Sequence, residues 1–186
     1  MRSLAALAIV LAACSGEVSA PPGPDASAAG ETIARAAEWV AAQVPYCQAA
    51  NHQPDHDSDC ASTCNRPDNA QWDPYRSDCS GFVSWAWALP APGRTTADFA
   101  PHDTTITHAI AASELRAGDA VNNDEHVMLF VAWIVPGARA TFMEETGCSS
   151  QTPYAVQVDE DVTLDGMSVT VADHGAFTAI RYDDAP

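Results

Sequence analysis

The sequence Tyr75-Arg76-Ser77-Asp78-Cys79-Ser80-Gly81-Phe82-Val83-Ser84-Trp85 joins a polar segment to an apolar one. The apolar run continues to Leu89 and ends at Pro90, which predicts one buried helix with Cys79 in its first turn. The free amides and the dipole of a helix N-terminus stabilise an anion, so this position favours a thiolate. The stretch therefore predicts a nucleophilic cysteine, and the ordinary alternative for a single cysteine is a buried structural thiol or a disulfide partner.

A thiolate nucleophile needs a base close by, and His126 is placed to supply one. It precedes an apolar run, residues 127–135, that is typical of a buried strand. The next strand, residues 139–146, returns beside it after a Pro-Gly turn and brings Glu144 or Glu145 towards the imidazole. Alternate strand residues point to opposite faces, so only one of the two faces His126, and we predict Glu144.

The pattern along the chain places helices before strands. Apolar residues at helical spacing cover residues 31–44, Pro45 ends that helix, and residues 48–74 form a long polar loop of unassigned role. Short strands are expected at residues 120–121, 126–135, 139–146, 155–158, 168–171 and 177–182. This order predicts an α+β fold with an antiparallel sheet.

The sequence contains six cysteines, and their positions lead to two predictions, one of lipidation and one of disulfides. Cys14 follows Leu11-Ala12-Ala13, which resembles the lipobox of bacterial lipoproteins, so Cys14 is a candidate lipidation site. Four others form up to two disulfides with three possible connectivities: Cys47, Cys60, Cys64 and Cys148. The rival interpretation is a zinc site made by Cys60 and Cys64 with His52 or His56. We favour disulfides and predict no metal.

The N-terminus predicts export. A short positive start precedes an apolar run of about ten residues, the length of a signal-peptide core. We expect residues 1–13 to be a signal peptide, residues 14–30 to be the lipidated cysteine and a flexible Pro-, Gly- and Ala-rich tether, and residues 31–186 to be the folded domain. Ser15 is not the Asp of an inner-membrane retention signal, which favours an outer-membrane anchor; a secreted form is the alternative.

The charge of the chain restricts its partners. The 186 residues include 25 acidic side chains and 8 basic ones, all of them arginine, for a net charge of −17. Phosphate binding needs a basic surface, so nucleic acid is excluded as a partner. Docking on an anionic lipid surface by charge is excluded for the same reason, which leaves a lipid anchor as the only expected membrane attachment.

Three motifs resemble the NlpC-type family of papain-fold cysteine peptidases. Asp78-Cys79-Ser80-Gly81-Phe82-Val83 is similar to that family's nucleophile motif, and Leu115-Arg116-Ala117-Gly118-Asp119 is similar to the turn that precedes its sheet. His126-Val127-Met128-Leu129-Phe130 is similar to its base-bearing strand. Tyr46 resembles the tyrosine that helps to hold the oxyanion near the nucleophile. The resemblance implies a papain-like α+β fold in which the nucleophile helix packs on a central antiparallel sheet.

The resemblance also implies a function. It predicts a monomeric thiol peptidase or amidase, without cofactor, that hydrolyses an amide in a peptidoglycan stem peptide. Cys79 would be the nucleophile, His126 the base and acid, and Glu144 the group that orients His126, where the family more often has His, Asn or Gln. Two alternatives stay open: a non-catalytic lipoprotein that only binds through a papain-like scaffold, and an acyl hydrolase or transferase with another substrate.

Overall fold

The computed structural model describes residues 24–56, residue 60 and residues 63–183. Within this part of the chain, seven strands form one antiparallel sheet with the order β1-β7-β2-β3-β4-β5-β6. They are β1 Thr107–Ala109, β2 Ala120–Asn122, β3 Val127–Val135, β4 Arg139–Glu145, β5 Ala155–Asp165, β6 Ser168–Val171 and β7 Gly175–Tyr182. The sheet does not end at β6, because β6 also pairs with β7. Six strands, β2 to β7, therefore close into a barrel. Strand β1 pairs with residues 180–182 of β7, beyond the residues of β7 that pair with β6.

The predicted fold class was wrong in its architecture. A central antiparallel sheet covered by a helix was expected, whereas the strands close on themselves around an interior of their own. Closure depends on the pairing of Val169 with Phe177 and of Thr170 with Ala176. Alternation of polar and apolar residues identifies such strands but carries no information about their partners.

Residues of β3 alternate between two hydrophobic cores. Met128 and Phe130 point into the barrel, where they pack with apolar side chains from the other strands. Val127 and Leu129 point outwards to a second core shared with the helices. Because the first part of β3 is buried on both faces, its sequence is a continuous apolar run instead of an alternating one.

Two α-helices contribute to this second core: α1 Pro24–Ala42 and α2 Cys79–Ala86. Trp39 of α1 is fully buried, stacks on Trp85 with ring centroids 6.1 Å apart and packs against Phe82. Helix α1 begins seven residues before the predicted start, so residues 24–30 of the expected tether are helical. No helix in the described part of the chain combines the length and apolar character that a membrane span requires.

Two disulfides join the long loop to the rest of the domain. Cys47 pairs with Cys64 inside the loop region, and Cys60 pairs with Cys148, which follows β4. The rival zinc site is wrong for this structure, since both of its cysteines are oxidised. Cys79 is the one free cysteine in the described ranges. Cys14, the predicted signal peptide and the first part of the predicted tether lie outside the described residues.

Candidate active site

Cys79 is the first residue of α2, and its neighbours hold the start of that helix in place. Asp78 is the N-cap, and its Oδ1 accepts a hydrogen bond of 2.7 Å from the Gly81 amide. Arg76 pairs with the other side of the same carboxylate at 3.1 Å. Asp78 thus caps the helix, because its side chain satisfies an amide that the first helical turn leaves free.

Gly81 is required by a close approach of the backbone. A Cβ atom at this position would lie 2.1 Å from the carbonyl oxygen of Arg76, a distance that no side chain tolerates. The segment before the helix therefore folds back onto the first helical turn and leaves Cys79 half-buried at the surface of the domain. This local geometry explains why a glycine stands two residues after the cysteine.

His126 lies between Cys79 and Glu144. Its Nε2 is 2.5 Å from Oε2 of Glu144, and the ring is near enough to Cys79 for their interaction to raise the pKa of His126. Since Nε2 is engaged by the carboxylate, Nδ1 is the ring nitrogen left for the thiol. The histidine side chain is 21% exposed and that of Glu144 only 3%, so the ring can meet a ligand while the carboxylate is largely shielded from water.

The electrostatics of His126 favour a protonated ring. Burial alone would lower its pKa, but hydrogen bonds to Cys79 and Glu144, together with the negative charge on those groups, raise the pKa of His126 to about 10. At neutral pH the ring therefore carries a proton on each nitrogen.

Glu145 occupies the opposite face of β4. It is fully buried, and neither carboxylate oxygen has a hydrogen-bond partner in the described part of the chain. Burial, reinforced by the charge of Asp78 and opposed by that of Arg66, raises the pKa of Glu145 well above its ordinary value. Of the two glutamates, Glu144 is the one that contacts His126.

Replacing Glu145 with glutamine should change how stability depends on pH. Above about pH 4.5, the ordinary value, the unfolded chain releases the Glu145 proton while the folded chain keeps it. The free energy of unfolding of the parent therefore falls as pH rises, and Glu145→Gln lacks this component. We expect denaturant unfolding to show the variant gaining stability relative to the parent as pH rises above 4.5. Glu38→Gln, at an exposed acid of α1, should follow the parent; an equal response of both variants would contradict the prediction.

A cleft of about 620 Å³ opens beside Cys79. Tyr46 lines it, and the Tyr46 hydroxyl accepts a hydrogen bond of 3.0 Å from Gln48. Part of the long loop forms one wall, with these residues: Gln48, Ala49, Ala50, Gln53, Pro54 and His56. The loop predicted to be polar and of unassigned role thus borders the candidate nucleophile.

His174 is the residue of this region that the sequence did not reveal. It lies in the turn between β6 and β7, and its ring stacks on that of His126 with centroids 5.9 Å apart and planes 13° apart. It also borders a second, smaller pocket that His126 and Glu144 line as well. No spacing pattern connects residues 126 and 174, so only the pairing of strands places them together.

No family model matches the chain, and no curated protein sequence does. RipB, a peptidoglycan hydrolase from Mycobacterium tuberculosis, is 18% identical in sequence and has a TM-score of 0.51, over 92% of this chain and 72% of the RipB chain. RipA, a resuscitation-promoting-factor-interacting protein, is 16% identical with a TM-score of 0.52, over 85% of this chain and 63% of the RipA chain. The chain has the NlpC-type fold.

The resemblance inferred from the sequence motifs is confirmed at the level of this NlpC-type fold. The turn motif that precedes the sheet helps to hold this fold together. Asp119, from the turn before the sheet, is buried and accepts hydrogen bonds from both Nε and a terminal nitrogen of Arg181 at 2.8 Å. That pair fastens the start of β2 to β7, and Gly118 before it has a φ of +90°, which favours glycine.

Proposed function

We propose that this chain is a cysteine hydrolase that cleaves an amide bond in the stem peptides of peptidoglycan. The observation that carries the proposal is the position of His126, which contacts Glu144 and interacts with Cys79 at the head of a capped helix. Nucleophile, base and orienting group in hydrogen-bond reach of one another are the arrangement that acyl transfer requires. The fold shared with RipB, a peptidoglycan hydrolase, supports the substrate class.

The proposed reaction uses the atoms of the site in turn. The Cys79 thiolate attacks the carbonyl carbon of the amide, and the backbone amide of Cys79 with Tyr46 stabilises the oxyanion that forms. His126 then donates a proton to the leaving amine, and a thioester to Cys79 remains. Water, deprotonated by His126, hydrolyses the thioester and restores the thiolate. Glu144 keeps the imidazole in position and stabilises its positive charge throughout.

The cleft supports a peptide substrate. Its volume of about 620 Å³ lies in the range of pockets that enclose a ligand of a few residues. Glu125 lines it together with Arg76, which is paired with Asp78, so the wall offers an extended chain polar groups as well as apolar surface. The wall supplied by the disulfide-tied loop narrows the cleft on one side and restricts which chains fit.

The test is a digest of purified peptidoglycan followed by mass spectrometry. Fragments with a newly released amino group in the stem peptide are expected, and their masses identify the bond. A digest without new fragments, combined with a Cys79 that resists thiol reagents, would overturn the hydrolase and favour the non-catalytic binding lipoprotein. New fragments that retain an added acyl group would favour a transferase.

The proposed location is the cell envelope, with export directed by residues 1–13 and attachment through lipidated Cys14. We expect Cys14→Ser to abolish lipidation and to move the protein from the membrane fraction to the soluble one, because the anchor would then be missing. Mass spectrometry of the mature N-terminus measures the modification directly. Ser15→Ala is the matched control and should remain membrane-bound; membrane retention of Cys14→Ser would contradict the prediction.

A further inference from the structure

His174 has no part in the reaction above, but it forms a three-residue cluster with His126 and Glu144. One donor atom each from His126, Glu144 and His174 lies within 4.8 Å of the other two. Glu144 is buried, His126 is partly buried and His174 is exposed in its turn. Two donors are therefore held by the barrel, and the third stands where it can rotate towards them.

We propose that these three side chains form a zinc site, and that zinc bound there inhibits the enzyme. The proposal has two halves. The binding half, that zinc binds here, depends only on the cluster; the inhibition half, that bound zinc stops the enzyme, rests on the proposed hydrolase function. The ligand would be a free divalent ion taken from the surroundings, bound reversibly at the edge of the active site.

The donor set favours Zn²⁺ over the common alkaline-earth ions. Two imidazole nitrogens and one carboxylate oxygen are a frequent set of three protein ligands for zinc, which binds nitrogen at about 2.0–2.1 Å and carboxylate oxygen at about 2.0–2.2 Å. Mg²⁺ and Ca²⁺ prefer oxygen ligands throughout. Tetrahedral zinc leaves its fourth position for water, and the pocket beside the cluster, about 260 Å³ and also lined by Thr146, Gly147 and Ser150, gives that water room.

The surroundings of the cluster attract cations. Glu160 interacts electrostatically with both His174 and Glu144, and Asp173 lies next to His174 in the same turn. The chain as a whole carries a net charge of −17. A field of this sign raises the local concentration of a divalent cation at an exposed site.

Bound zinc would remove two of the groups on which turnover depends. Nε2 of His126 faces Glu144, so zinc would bind that nitrogen and the carboxylate in place of the hydrogen bond between them. The Nε2 proton would pass to solvent, and the zinc-bound ring would be fixed away from its working geometry. Glu144 would no longer orient the imidazole, and turnover would stop until the ion dissociates.

Calorimetric titration with ZnCl₂ tests the binding half. The full chain carrying Cys79→Ala is used, because this change removes the thiol as a competing zinc ligand. We expect one ion per chain, and the further change His174→Ala should weaken the Kd at least about tenfold. His108→Ala, at another exposed histidine remote in sequence from the cluster, should leave the Kd unchanged, and MgCl₂ should not bind. Equal zinc affinity with and without His174, or no binding at all, would overturn the site.

Hydrolysis of peptidoglycan fragments at increasing ZnCl₂ tests the inhibition half. The zinc concentration for half-inhibition should be at least about tenfold higher for His174→Ala than for the chain with His174, and a chelator should restore activity. Equal sensitivity would mean that zinc acts through Cys79 and would overturn the inhibitory role. If the parent shows no hydrolysis, the proposed function fails while the calorimetric result still decides the metal site.

Discussion

Replacing Cys79 with alanine is expected to lower kcat/KM for a peptidoglycan stem peptide by on the order of 10⁴-fold or more. The reaction proposed here passes through a thioester to this sulfur atom, and no other described cysteine is free to replace it. The side chain is half-buried at the start of α2, and the helix is held by Asp78 and Gly81, so the change leaves the fold intact. Fragment release measured by mass spectrometry gives the rate.

The control for this change is Ser84→Ala on the same helix. Ser84 lies away from the thiol, where its hydroxyl donates to the carbonyl oxygen of Ser80 and accepts from the Arg94 amide. It should lose stability and keep its activity under native conditions, whereas Cys79→Ala should keep its stability and lose its activity. Circular dichroism and thermal unfolding of both variants separate the two effects. A Cys79→Ala protein that still cuts stem peptides would refute the assignment of the nucleophile.

Glu144→Gln should reduce kcat by about 10²-fold or more with little change in KM, because it removes the charge that stabilises the protonated imidazole. Its neighbour on the same strand provides a matched comparison. Glu145→Gln makes the same chemical change one residue along β4, but on the face that does not contact His126, and its activity should stay within about threefold of the parent. Comparing the two variants therefore separates the role of Glu144 in catalysis from the effect on stability of removing a buried carboxylate.

Steady-state kinetics at several pH values completes this comparison. Loss of the Glu144 carboxylate lowers the pKa of His126, which both hydrogen bonding and charge from Glu144 raise. The pH above which activity declines should therefore move down for Glu144→Gln and stay in place for Glu145→Gln. Equal losses of activity in both variants would show that the carboxylates act through stability and would remove Glu144 from the proposed mechanism.

The parts of this site that the sequence predicted are local or lie on neighbouring strands. Cys79 at the start of a helix follows from the capping residue before it and the apolar run after it. His126 and Glu144 follow from a strand, a Pro-Gly turn and a return strand, since a hairpin places its two strands side by side. Within such a pair, the period of two decides which of two adjacent glutamates faces the histidine, once the register is known.

The parts that the sequence did not predict depend on contacts far apart along the chain. The role of His174 arises only because β6 and β7 close the barrel and bring their turn beside β3. Strand β5 extends to Asp165, well beyond the predicted residues 155–158, because the pairing with β4 and β6 outweighs the low strand preference of its acidic residues. The sequence of one segment does not reveal which distant strands will pair with it.

The amino-acid sequence by itself determined that a cysteine would head a buried helix, that a histidine would begin a buried strand, and that the remaining described cysteines would form disulfides. The three-dimensional arrangement alone decided that the sheet closes into a barrel, which disulfide partners meet, that Glu145 is buried without a partner, and that a second histidine stacks on the first. Hydrophobic period and end-capping act between residues a few positions apart. Closure of the barrel and burial of Glu145 instead depend on which distant segments pack together and exclude water, and this packing is defined only in the complete fold.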